Sequence, residues 1–279
     1  MDGRDVARYW EGNAAAWTEL SRRGRDVYRD FVNTPAFFAM LPCVTGRRGL
    51  DVGCGEGHNT RLLARRGARM TAIDLAPGFI RAAREWEERE TLGIDYLVGD
   101  AQRLPLATGS FDFACAFMSL MDMPDPSAAL GELRRVIRPG GFLQFSICHP
   151  CTDTLGRRWV TDAEGRRTGM VIEGYFDEPP GTVQRWCFGH ATEEERSVHG
   201  EFAIPRFHLT LAEWINLLID HGFRLERLAE PRAGSEALER HPDLAWTRRV
   251  PFFLILRCRR EVLGGAGETA ACPSPGDGC

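Results

Sequence analysis

The chain has 279 residues, 43% hydrophobic and 27% charged, a globular balance that excludes wholesale disorder. A net charge of −4 gives no reason to expect a polyanion as partner. All 35 basic residues are arginine, which excludes Schiff-base and pyridoxal chemistry, the P-loop lysine and the kinase lysine.

The opening stretch MDGRDVARYWEGNAAAWTEL is charged throughout, so no secretory leader is expected. No apolar run is long enough for a membrane span, and nine cysteines without paired spacing fit a reducing cytoplasm. Residues 1–45 precede the first predicted strand and carry Tyr9, Trp10, Ala14 and Trp17. From Gly49 to Phe142, short apolar runs alternate with amphipathic segments, the pattern of βαβ units on a parallel sheet. The predicted strands are Gly49–Val52, Met70–Ile73, Asp95–Val98, Phe111–Met118 and Phe142–Ile147. Between them Asn59–Arg66 forms a helix closed by Gly67, and Pro77 opens a second. Asp125-Pro126 starts a third, which runs to Pro139-Gly140-Gly141.

After Cys151 the pattern changes. Residues 152–207 hold no strong helix but many aromatic residues, and read as an insertion that caps the core at 46–151. Met170–Phe176 and Val183–Phe188 flank Asp177-Glu178-Pro179-Pro180-Gly181, which predicts a hairpin. Alternation along its first strand puts Glu173 and Tyr175 on one face, about 7 Å apart. Thr210-Leu211-Ala212-Glu213 is a capping box for a helix ending at Gly222. Strands Arg224–Leu228 and Pro251–Arg257 then complete the core within 208–260. Residues 261–279 are rich in Gly, Ala, Ser and Pro and read as a disordered tail. Cys148-His149-Pro150-Cys151 lacks a second pair at finger spacing, so no metal is expected.

The chemistry concentrates in Leu50-Asp51-Val52-Gly53-Cys54-Gly55-Glu56-Gly57, a glycine turn between strand and helix. Such turns let backbone approach a ligand at a helix N-terminus. Dinucleotide-binding turns carry a third glycine where this chain has His58. Asp51 would repel a pyrophosphate but suits an ammonium group. Asp74, at the end of the second strand, suits ribose hydroxyls. Together these features favour a nucleoside with a cationic tail over NAD.

With Gly99-Asp100-Ala101-Gln102-Arg103-Leu104-Pro105, Ser110-Phe111-Asp112 and Arg135-Val136-Ile137-Arg138-Pro139-Gly140-Gly141, the turn resembles the class I S-adenosylmethionine-dependent methyltransferases. The nearest branch is similar to ubiquinone-biosynthesis methyltransferases, over about residues 49–147. The resemblance implies an α/β fold: a Rossmann-like, doubly wound seven-stranded sheet with its last strand antiparallel, an N-terminal helical lid and an inserted cap. It implies S-adenosyl-L-methionine as cofactor. Gly53 and Gly55 would approach the methionine part, with Asp51 at its amino group. Asp74 and Leu75 would meet the ribose, and Asp100 with Ala101 the adenine edge. Phe117 or Met118 would border the sulfur, and Tyr9 and Trp17 would close over it from the lid.

The acceptor leaves fewer marks. An aromatic cap suits a planar, partly apolar small molecule, and the scattered arginine pairs do not make a nucleic-acid groove. His149, His208, Glu173 and Tyr175 are the candidate proton acceptors, and Trp10 and Trp186 candidates to stack a substrate ring. His190, His199, His221 and His241 read as surface or satisfied core histidines. In layout the chain also resembles actinobacterial indole C-methyltransferases, which implies carbon methylation of an indole as the sharpest expectation. O- or N-methylation of a small metabolite is one alternative, and a non-catalytic binding module on the same fold is another.

Overall fold

The computed structural model describes residues 1–177, 179 and 181–261. Helix α1 (Gly3–Arg22) starts on a capping box in which Asp2 and Asp5 each bond the other's backbone N–H. A wide turn, Arg29–Asn33, leads into α2 (Thr34–Met40). The βα units follow: β1 (Arg48–Val52), α3 (His58–Arg65), β2 (Arg69–Asp74), α4 (Pro77–Arg89), β3 (Asp95–Val98) and β4 (Phe111–Phe117). A 3₁₀ turn at Leu120–Asp122, α5 (Pro126–Val136) and β5 (Ile137–Cys148) complete the first half.

Helix α5 begins where the sequence marks it, with Asp125 accepting the Ala128 N–H at 2.9 Å. It ends earlier than expected. Ile137 already pairs with Phe111, and the pairing resumes at Phe142 and Phe113 after a register shift. Pro139-Gly140-Gly141 thus forms an irregularity inside a strand, not a helix stop, since the sheet supplies partners on both sides.

Residues 152–207 hold four short strands, β6 (Arg158–Thr161), β7 (Arg167–Val171), β8 (Thr182–Trp186) and β9 (Phe202–Arg206), with α6 (Glu193–His199) before the last. Here the expected hairpin is corrected. β6 pairs with β7, and β8 pairs with β9. The β6–β7 reversal lies at Asp162–Arg166, where Asp162 accepts the Arg166 N–H at 2.8 Å. β7 stops at Val171, and Gly174 at φ +71° turns the chain out of extended conformation. The expected absence of a strong helix is corrected too, because Thr192 and Glu195 form a capping box for α6.

Helix α7 (Leu211–Asp220), β10 (Phe223–Ala229), α8 (Ser235–Arg240) and β11 (Phe253–Arg260) return the chain to the core. The large sheet runs β10-β11-β5-β4-β1-β2-β3, and β11 is antiparallel to both neighbours. Helices α5 and α7 cover one face, through Leu130, Leu133, Trp214 and Leu218. Helices α2, α3 and α4 cover the other, through Phe37, Leu63, Ile80 and Ala83. The seven-stranded doubly wound sheet is therefore as expected, and residues of α1 and of 152–207 meet at its carboxyl edge. Asn13 of α1 pairs both ways with the Ala203 backbone, at 2.9 and 3.0 Å. The tail expectation, beyond residue 261, lies outside the described residues.

Candidate active site

A cavity of about 550 Å³ runs along the carboxyl edge, and the turn between β1 and α3 forms its floor. Gly53 (φ +68°) and Gly55 (φ +55°) both take left-handed backbone. A Cβ at Gly53 would stand 2.3 Å from that of Ser119, whereas a Cβ at Gly55 would meet only open space. Packing therefore requires the first glycine, and the second leaves backbone bare toward the cavity.

Asp51 ends this floor, 1% exposed. One of its oxygens accepts the Thr60 hydroxyl at 2.5 Å, while Oδ1 is buried without a partner among the described residues. Burial pushes its carboxyl up to about 7, against the pull of Thr60, and the Asp74 and Glu56 carboxylates add to the rise. Asp74 accepts N–H groups from Gly55 at 2.8 Å and Ala76 at 2.9 Å, and burial lifts it to about 6. Each of its oxygens keeps acceptor capacity for a hydroxyl. Asp100 accepts the Gln102 N–H at 2.8 Å, and both residues line the cavity with Ala101. Leu75, Phe117 and Met118 line it as well, with Met118 at φ +55°, a strained conformation for a side-chain-bearing residue.

Arg29, between α1 and α2, faces the same end with its side chain 12% exposed. Its guanidinium bonds Asp30 at 2.8 Å, Glu56 at 3.2 Å and the Ser21 hydroxyl. No motif marks Arg29 in the sequence. The available signal was Glu56, an acid inside the turn that needs a cation once buried.

Farther from the turn the wall is aromatic. Tyr28, Trp246 and Phe252 meet with ring centroids 5.1 to 5.7 Å apart, and Trp159 reaches Trp246 at 4.6 Å. The Arg167 guanidinium lies 4.3 Å over Trp159. Trp10, Trp17 and Trp186 line the cavity too, with Trp17 edge-on to both others. Tyr9 does not line the cavity, so the expected approach of its side chain from the N-terminal segment is not seen.

Of the four candidate proton acceptors, His208 alone lines the cavity. Its Nε2 lies 3.0 Å from the Tyr175 carbonyl and must donate there, which leaves Nδ1 as acceptor. The structure does not bring the other three to the wall. His149 uses both nitrogens elsewhere, Nε2 on Glu230 at 3.0 Å and Nδ1 on the Cys151 N–H at 3.3 Å. Glu173 and Tyr175 lie past the end of β7, so strand alternation does not govern them. The Glu173 side chain is 66% exposed and nearest Arg158. The Tyr175 hydroxyl accepts the Leu211 N–H at 2.9 Å and so pins the start of α7.

A family model described as a methyltransferase domain matches residues 50–145. Malonyl-[acyl-carrier protein] O-methyltransferase from Serratia marcescens is 38% identical over 115 residues, 41% of this chain and 44% of that protein. Ubiquinone biosynthesis O-methyltransferase from Xanthomonas oryzae pv. oryzae is 40% identical over 104 residues, 37% of this chain and 44% of that protein. The chain thus spans less than half the length of either curated relative. The likeness to the crystal structure of an S-adenosylmethionine-dependent methyltransferase from Mesorhizobium loti is broader. At 30% identity and a TM-score of 0.65, it covers 81% of this chain and 96% of that one. The chain belongs to the class I S-adenosylmethionine-dependent methyltransferases.

The cofactor of this methyltransferase family carries an ammonium, a carboxylate, a ribose diol and an adenine, and the cavity fits each. The orphaned Oδ1 of Asp51 fits the ammonium, which supplies the missing donor. Arg29 fits the carboxylate. Asp74 fits the diol, and the Asp100–Gln102 loop fits the adenine edge. The bare backbone at Gly55 leaves room between them.

Proposed function

We propose that this chain transfers the methyl group of S-adenosylmethionine to a small aromatic or heteroaromatic acceptor, and in the sharpest form to a ring carbon of an indole. One observation carries the reading: the orphaned Asp51 oxygen and the four-ring wall of Tyr28, Trp159, Trp246 and Phe252 share one cavity. When bound, the cofactor supplies a methyl carbon made electrophilic by the adjacent sulfonium. The chain's own residues then align and desolvate. Asp51 and Arg29 fix the charged end, Asp74 the ribose. The lid, 1–45, and the cap, 152–207, close over the core through Trp10, Trp17 and Trp186 and exclude water.

The aromatic wall holds a flat acceptor and stabilises positive charge developing on its ring. An indole C3 is already nucleophilic, so the remaining task is to take up the ring proton as that charge appears. In this reading His208 Nδ1 takes it up, a role supported by its position in the cavity wall. The acceptor is a diffusible small molecule of the cytoplasm, a setting in keeping with the free thiols of the described cysteines.

A second reading, transfer to oxygen, is favoured by the names of both curated relatives, which are O-methyltransferases. It keeps the cofactor end unchanged and asks His208 to accept a hydroxyl proton instead.

The test is incubation with trideuteromethyl cofactor and separate RNA, protein and small-metabolite fractions. Label in small aromatic molecules is expected, and fragment masses separate carbon from oxygen methylation. Label in RNA alone would overturn the reading.

A further inference from the structure

Asp122 closes the 3₁₀ turn that follows β4. Its turn-mate Leu120 is wholly buried in the sheet core, but Asp122 lines the cavity, 7% exposed. No hydrogen bond or ion pair reaches its carboxylate from any described residue. The neighbouring acid is different: Asp153 holds Arg157 at 2.7 Å and Arg206 at 3.1 Å. Burial raises the pKa of Asp122 well above the usual carboxylate range, and the Asp153 charge raises it further against the pull of Arg206. The carboxylate opens onto the cavity, where no described residue meets it, and packing gives no reason for an acid here. Such a group is explained by a ligand that completes it.

We propose that Asp122 accepts a hydrogen bond from the methyl acceptor, which makes the substrate class aromatic or heteroaromatic small molecules that present an N–H or O–H donor. The inference rests on the methyl-transfer reading of this cavity. A donor entering against Asp122 supplies the hydrogen bond that no described residue gives, and the ring behind it meets the aromatic wall. An isostere without the donor leaves the carboxylate unmet, and a site built this way rejects it.

Matched probes of equal size test this: indole against benzofuran, and phenol against fluorobenzene. Each is titrated by ligand-observed NMR into the full chain saturated with S-adenosylhomocysteine. The donor member of each pair should bind roughly tenfold tighter or more to the wild type. Asp122→Leu should shrink that ratio to within about twofold, while Asp122→Asn, which keeps an amide oxygen, should retain part of it. If Asp122→Leu fails to fold, the Asn variant and Asp122→Ala carry the comparison. Equal binding of both members to the wild type would overturn the proposal, as would a ratio unchanged in the variants. If S-adenosylhomocysteine itself fails to bind the wild type, the methyl-transfer reading fails and takes the proposal with it.

Discussion

At the turn end of the cavity, the two acids Asp51 and Asp74 are held by residues close by in sequence or on the neighbouring strand and its turn. Thr60 lies nine positions from Asp51, and Asp74 is gripped by Gly55 and Ala76. At the aromatic end, the wall draws Tyr28, Asp122, Trp159, Arg206 and Trp246 from separate segments of the lid, core and cap. Motifs can carry the first kind of site because local backbone geometry sets it. The second exists only after lid, cap and sheet have packed. Substitutions should therefore separate cleanly, with cofactor affinity governed at one end and acceptor use at the other.

The largest effect should come from Asp51→Asn, which keeps an oxygen for Thr60 but removes the charge. Affinity for S-adenosylhomocysteine should fall by about 100-fold by calorimetry, since charge-assisted bonds are roughly twice as strong as neutral ones. The Tm of the free protein should not fall, because the ionised carboxylate is buried at a cost. A change in acceptor KM alone would break the division between the two ends.

Trp159→Ala tests the other side. Acceptor KM should rise about tenfold, in line with loss of an aromatic anchor, while S-adenosylhomocysteine affinity stays within about twofold. Equal losses in both would mean that the two ends are coupled.

A pH series sharpens the comparison further. Asp51 must be ionised to receive an ammonium, and in the free protein it titrates at about 7. S-adenosylhomocysteine should then bind about tenfold more weakly at pH 6 than at pH 8, with a proton released on binding at the lower pH. Asp51→Asn should flatten that slope. The same shift acts on stability with a definite sign. Folded Asp51 and Asp74 hold protons at pH values where the unfolded chain has lost them, so the free protein loses stability as pH rises from about 4 to 7.

The smallest effect belongs to Glu173→Gln, which should leave turnover within about twofold, because the side chain is exposed and off the cavity wall. A loss of tenfold or more would mean that the loop after β7 folds inward during the reaction.

How much of this was legible in the sequence follows the same division. The strands of the first half, the glycine turn, Asp51 and Asp74 are all written in local pattern. The strand β5 is longer than its apolar run because Pro139-Gly140-Gly141 lies in an irregularity that only the neighbouring strand reveals. The cap was misread because a Pro-Gly stretch outweighed the Asp162–Arg166 turn, and pairing partners are not fixed by turn residues alone. His149 looked placed for chemistry by its position at a strand end, but Glu230, far along the chain, engages its ring. Asp122 carried no signal at all. An acid in a short turn reads as solvated surface until β9 is seen to pack against that turn.

The central claim is that the turn end of this cavity holds S-adenosylmethionine through Asp51. Its most direct test is calorimetric titration of S-adenosylhomocysteine and of NAD into the wild-type chain. One S-adenosylhomocysteine per chain and no measurable NAD is the predicted result. Saturable binding of NAD with none of S-adenosylhomocysteine would contradict it.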